Sequence, residues 1–229
     1  MTPAHDVLRQ AGHVLLDFDG PVCAVFSTIT NTEVTNGLRA FLTEHGHTPT
    51  DELRHATDPF DVLAYALGIS ADLAAAVEAE FTRWEQHAVP YAAETPGIRD
   101  TLAWITQSGR SITIVTNNAV SAVTAYCTHT GLDTFINNIS ARRPHEVTKL
   151  KPHPYFLLES LNALNTKPQQ AVMVGDSTSD IEAATAANVP AIAYANKPGK
   201  TDTLTTYHPQ AIITHMTELL PPTPSPARH

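Results

Sequence analysis

The sequence is short of cysteine, of basic residues and of long apolar runs, and each shortage argues against a class of protein. Its two cysteines, Cys23 and Cys127, stand far apart and form no CxxC pair, which argues against a disulfide framework or a zinc site and leaves two free thiols. Fourteen Lys and Arg stand against 23 Asp and Glu, a formal net charge of −9 with histidines neutral. A nucleic-acid or anionic-membrane surface needs a basic footprint, so neither partner is expected. No segment approaches the roughly 18 apolar residues of a membrane span. The stretch "MTPAHDVLRQAGH" has no basic region followed by an apolar run, so no secretory signal is expected, and the expected compartment is the cytoplasm. The twelve histidines fall in no HxH or HExxH ligand pattern. Residues 24–95 contain no lysine at all.

What is present is a series of short, nearly unbroken apolar runs: "VLLDF" 14–18, "SITIVT" 111–116, "AVMVG" 171–175, "VPAIAYA" 189–195 and "AIIT" 211–214. Their length and continuity suit strands buried on both faces of a parallel sheet. Helical patterns separate most of them. In "PGIRDTLAWITQSG", Ile98, Leu102 and Ile105 recur at i, i+4 and i+7 between Gly97 and Gly109. The alternation predicts an α/β, doubly wound, Rossmann-like core over 1–23 and 96–220. Between its two pieces, 24–95 reads as an all-helical insertion. Val34, Leu38, Phe41 and Leu42 share one helical face, and Leu73, Val77, Phe81, Trp84 and Ala88 share another. The four prolines of 221–229 predict a flexible tail.

In open parallel sheets ligands bind at the carboxyl ends of the strands. Those ends carry Asp17 and Asp19, then Thr116-Asn117-Asn118, then Lys151-Pro152 ahead of a helix, then Gly175-Asp176-Ser177-Thr178-Ser179-Asp180. Singly, each has an ordinary explanation: a turn after a strand, a helix cap, a loop, a solvated lysine. Together they bring acids, a hydroxyl and an ammonium to one edge. Clustered carboxylates repel, and an oxygen-seeking cation relieves the repulsion; so few protein ligands suit Mg2+ better than calcium. A carboxylate so placed can attack phosphorus, a second can manage protons, and the hydroxyl and ammonium can hold the phosphoryl oxygens.

These motifs resemble, in order, those of the haloacid dehalogenase superfamily. Asp17-Phe18-Asp19-Gly20-Pro21 is similar to its DxDx[TV] motif, Thr116 in "IVTNN" to its Ser/Thr motif, Lys151 in "KLKPHP" to its lysine motif, and Gly175 to Asp180 to its GDxxxD motif. The resemblance runs from about 13 to 220. It implies that Asp17 is the nucleophile and a metal ligand, and that Asp19 is the general acid and base with its carbonyl on the metal. Thr116, Asn117 and Lys151 would bind phosphate, and Asp176 and Asp180 would hold Mg2+, Asp180 directly or through water. The insertion at 24–95 resembles the family's helical C1 cap, in which Arg54 is the expected substrate contact. Pro21 departs from the usual Thr or Val, and Lys149 competes with Lys151, which its following proline favours.

Within the family, Asp19 argues against dehalogenation, and the lysine-free insertion against the Schiff-base phosphonatase route. The implied activity is Mg2+-dependent hydrolysis of a small phosphorylated metabolite through an aspartyl-phosphate, by a monomer or small homo-oligomer. The alternatives are a phosphomutase of the β-phosphoglucomutase type and a non-catalytic phospho-ligand-binding member. Arg142-Arg143-Pro144-His145 is expected in a solvated loop, the alternative being contact with an anionic substrate, and Trp84 in the core.

Overall fold

A computed structural model describes residues 3–221; beyond Pro221, the expected flexible tail lies outside the described residues. In chain order the molecule runs α1 (Ala4–Arg9), β1 (His13–Leu16), β2 (Cys23–Ala24), α2 (Asn31–Glu44), α3 (Asp51–His55), α4 (Pro59–Ile69), α5 (Ala71–Ala88), β3 (Ala93–Glu94), α6 (Ile98–Gln107) and β4 (Ser111–Ala119). It continues with α7 (Val120–Thr130), β5 (Asn138–Arg142), α8 (Tyr155–Ala163), β6 (Ala171–Gly175), α9 (Thr178–Ala186), β7 (Ala191–Tyr194), α10 (Lys200–Thr205) and β8 (Ala211–Ile213).

Six of the strands form one parallel sheet in the order β5-β4-β1-β6-β7-β8. β1 explains why the first apolar run has no polar alternation. Val14 and Leu16 pack into the cluster on one face of the sheet and Leu15 into the cluster on the other, so every position is buried. The chain builds outward from β1 through β4 to β5, then returns to the other side of β1 for β6. This reversal opens a crevice at the carboxyl ends of β1, β4 and β6, the general location of ligand sites in such sheets.

The four helices α2 to α5 make a separate apolar cluster, centred on Val34, Leu38, Leu63, Val77 and Phe81. Their boundaries have local causes. Thr30 and Glu33 form a capping box at α2, Asp58 caps α4 ahead of Pro59 at its first position, and Ser70 caps α5. Trp84 packs against Gly37, where a Cβ would come within 2.4 Å of the indole, so a glycine in mid-helix serves close approach of α2 and α5. Phe41 lies at the margin of that face: it is half-buried against the cluster, with its ring 4.0 Å from that of His45.

Three strands escaped the apolar pattern. β5 is an edge strand, "NISAR", whose only aliphatic side chains are Ile139 and Ala141. β2 and β3 are a two-residue antiparallel pair joining the ends of the helical segment. Among the described residues no helix is long and apolar enough to cross a membrane.

Candidate active site

The crevice at the end of β1 is where the first acids emerge. The Asp17 N–H donates to Val174 O at 2.9 Å, prolonging the β1–β6 ladder by one residue. Phe18 then turns into the core, edge-on to Tyr126 at 5.3 Å. The side chains on either side of it, Asp17 and Asp19, line one cavity together with Thr116, Asn117, Lys151 and Asp176. Gly20 follows at φ 107°, and a Cβ there would lie 2.4 Å from Asp176 Cγ. The loop after β1 thus makes room for the carboxylate that arrives from β6.

Lys151 is buried at the centre of the acids. Its Nζ lies 2.9 Å from Asp17 Oδ1, donates to Val115 O at 3.0 Å, and pairs with Asp180. Burial opposes its charge, but Asp17 and Asp180 outweigh that and hold the ammonium above its usual range. Asn117 aims this lysine: its Oδ1 accepts from Lys151 N–H at 2.8 Å and its Nδ2 donates to Lys151 O at 3.0 Å. Thr116 is buried, and its hydroxyl donates to Asn118 Oδ1 at 2.9 Å. Lys149, two residues before Lys151, is a surface residue paired with Glu146 and lying over the Tyr155 ring.

The acids are held differently. Burial, aided by the nearby Asp180 charge and opposed by Lys151, pushes Asp17 up to about 7. Burial also raises Asp19 to about 6, against the hydrogen bond its Oδ1 accepts from Val25 N–H at 2.9 Å. Asp176 is raised as well, again by burial first, although it accepts from Asn196 Nδ2 at 3.0 Å and pairs with Lys200. Asp180 has both oxygens engaged, one on Lys151 and the other on the N–H and hydroxyl of Ser177. It does cap α9, as an ordinary reading has it, and it orients Lys151 at the same time.

One carboxylate oxygen from each of Asp17, Asp176 and Asp180 falls within 4.8 Å of the others. This all-oxygen donor set, three carboxylates against the two ammoniums of Lys151 and Lys200, fits a hard divalent ion such as Mg2+. Asp17 and Asp176 face the cavity, whereas Asp180 is committed to Lys151 and Ser177.

Arg54 is not brought to this site. It lies exposed on α3, donating to Pro49 O and paired with Asp51, and does not line the cavity. Arg142, expected in a solvated loop, is fully buried instead. It pairs with Glu78 at 3.1 Å and Glu85 at 2.7 Å on α5 and donates to Asn117 O at 2.8 Å. Glu85 also accepts from Asn118 Nδ2 at 2.9 Å and Ala119 N–H at 3.1 Å. Glu78, Glu85, Asn118 and Arg142 were therefore missed as the residues that pin the irregular end of β4, Thr116–Asn118, to α5. The available signal was two glutamates seven residues apart on an otherwise apolar face of that helix.

A family model described as haloacid dehalogenase-like hydrolase matches residues 14–194. Among curated proteins, the phosphoglycolate phosphatase of Yersinia pestis is 31% identical over 126 residues, 55% of this chain and 53% of that protein. The phosphoglycolate phosphatase of Pseudomonas putida is 30% identical over 132 residues, 58% of this chain and 48% of that protein. The chain thus spans about half the length of the curated relatives it matches. Among solved structures, CbbY of Rhodobacter sphaeroides in complex with phosphate superposes with a TM-score of 0.70 at 20% identity, covering 92% of this chain and 96% of that one. A haloacid dehalogenase-like hydrolase from Bacteroides fragilis gives 0.71 at 21% identity, covering 92% and 100%. The solved structures match the fold, and the family model spans most of the chain, from β1 to β7: this protein belongs to the haloacid dehalogenase-like hydrolases.

Proposed function

We propose that the protein is a Mg2+-dependent phosphomonoesterase acting on a small phosphorylated metabolite through a phospho-enzyme on Asp17. The observation that carries the reading is the pairing of Asp17 and Asp19 on one cavity in unequal surroundings. Asp17 is 2.9 Å from a buried ammonium, whereas Asp19 accepts from a backbone N–H and makes no ion pair among the described residues. Two carboxyls whose environments differ in this way suit a nucleophile and a proton carrier. The relatives named phosphoglycolate phosphatase support phosphoryl chemistry at such a site.

In the proposed sequence, an Asp17 oxygen attacks phosphorus and the bond to the ester oxygen breaks. Asp19, protonated, gives its proton to the departing oxygen, so the alcohol leaves neutral. Asp19 then takes a proton from water as that water attacks phosphorus, which releases inorganic phosphate and restores the Asp17 carboxylate. Lys151 and the Thr116–Asn117 segment hold the phosphoryl oxygens while charge redistributes among them. Bound Mg2+, held by Asp17 and Asp176 with Asp180 behind them, would supply positive charge against the approach of carboxylate to phosphate.

Phosphate release from p-nitrophenyl phosphate and small alkyl phosphates, with Mg2+ and with EDTA, tests the reading beside Asp17→Asn. Release that needs the metal and vanishes in the folded variant is expected. Release that survives EDTA, or survives in Asp17→Asn, would sink it.

A further inference from the structure

The cavity over Asp17 has a second wall, contributed by the helical segment: Phe26, Asn31, Asp58, Pro59, Phe60 and Phe81. Its three aromatic rings form one surface, with Phe26 stacked on Phe81 at 6.4 Å and Phe60 edge-on to Phe81 at 5.0 Å. The polar groups in this wall are Asn31 and Asp58, and among the described residues that line it there is no Lys, Arg or His.

Among the described residues, the cations that touch the cavity's acids are already committed. Lys151 sits between Asp17 and Asp180, and Lys200 is on Asp176. Lys197 acts on Asp19 from the exposed loop after β7 and does not line the cavity. Arg142 lies behind the aromatic wall, 4.5 Å from the Phe81 centroid and 5.9 Å from that of Phe60, fully buried and saturated by Glu78, Glu85, Thr82 and Asn117 O. A second anion on the substrate lying against this wall would therefore meet Asp58 and an apolar surface, with no cation in the wall to replace its hydration. The cavity, about 300 Å³, is at the small end for ligand pockets, which suits a small metabolite.

From this wall, and resting on the phosphatase reading above, we infer the class of alcohol the enzyme releases. It carries no anionic group of its own, lays an apolar face on Phe26, Phe60 and Phe81, and donates an O–H or N–H to Asp58. The site selects against phosphoglycolate and bisphosphates, the first of which gives the matched relatives their name.

The test measures kcat/KM for phosphoglycolate, for its uncharged counterpart 2-hydroxyethyl phosphate, and for benzyl phosphate, with the full chain and Mg2+. Wild type is expected to favour 2-hydroxyethyl phosphate over phosphoglycolate by about tenfold or more, the factor that 1.4 kcal/mol of discrimination supplies. Benzyl phosphate, which covers the aromatic wall but offers Asp58 no donor, should also exceed phosphoglycolate. Asp58→Asn removes the charge yet keeps an acceptor for the Phe60 N–H it caps, and should shrink the preference several-fold by improving phosphoglycolate. Phe60→Ala should raise KM for benzyl phosphate and leave the small esters little changed. Equal or better use of phosphoglycolate by wild type, or an unchanged ratio in Asp58→Asn, would overturn the inference while the phosphatase reading stands. No release from any ester, p-nitrophenyl phosphate included, removes both.

Discussion

Arg142 Nη2 lies 2.7 Å from Glu85 Oε2, with both side chains completely buried. This pair joins the end of edge strand β5 to helix α5, and through Asn117 O, Asn118 Nδ2 and Ala119 N–H it grips the end of β4 that carries Thr116. Buried ion pairs often break even against apolar replacements, but removing one partner strands the other's charge. Arg142→Met should therefore destabilise the fold by about 3–5 kcal/mol, read as a lower urea midpoint with little change in slope. Neutralising the partners in Glu78→Gln/Glu85→Gln/Arg142→Met should recover part of that loss. A single variant as stable as wild type would show that the pair carries little.

The proton role assigned to Asp19 has a signature that the other acids do not share. Asp19→Asn should slow hydrolysis of alkyl phosphates by about 10²–10⁴-fold, the usual worth of general acid–base catalysis. p-Nitrophenyl phosphate needs no proton to leave, so its phosphorylation step should suffer far less. A pre-steady-state burst of p-nitrophenol, followed by slow turnover, is the outcome to look for. Equal losses on both ester types, without a burst, would contradict the assignment.

Metal affinity should depend on pH through the same carboxyls. Without metal, Asp17 is raised from 3.8 to about 7 and Asp19 to about 6, so the native state holds protons that the unfolded chain has released. That stabilising contribution is fully present below the unfolded value of 3.8 and is lost as pH rises through about 6 and about 7. Bound Mg2+ requires the ionised forms. Thermal unfolding with EDTA should therefore show stability falling from pH 5 to pH 8, and the gain from added Mg2+ should grow over the same interval. A metal-induced shift independent of pH would count against Asp17 as a ligand.

Gly20 offers a test that alters no ionisable group. Its φ is 107°, and an added Cβ would stand 2.4 Å from Asp176 Cγ. Gly20→Ala is strained on both counts and should cost more than about 1 kcal/mol of stability. Because the displaced neighbour is Asp176, Mg2+ affinity by calorimetry should fall as well. Wild-type affinity in this variant would show that Asp176 can shift without consequence for the metal.

Much of the fold was legible because its causes are local. The apolar run ending at Leu16 is continuous since β1 is covered on both faces, and the runs of β4, β6, β7 and β8 read the same way. β5 was not legible because an edge strand needs apolar residues on few positions, and "NISAR" supplies two. The site's first rank, Asp17, Asp19, Thr116, Asn117, Lys151 and Asp176, was visible because strand ends of a parallel sheet converge whatever the side chains do.

The sequence by itself determined the order of acids, hydroxyl and ammonium along the chain, and with it the family and the chemistry that those groups can perform. Only the tertiary structure decided which charges are free to meet a ligand. Arg54 and Arg142 are both single guanidiniums in the sequence. One lies on the surface beside Asp51, and the other is spent between Glu78 and Glu85 behind an aromatic wall. Burial and partner distance fix a group's free energy of ionisation and its availability, and both come from contacts between segments tens of residues apart.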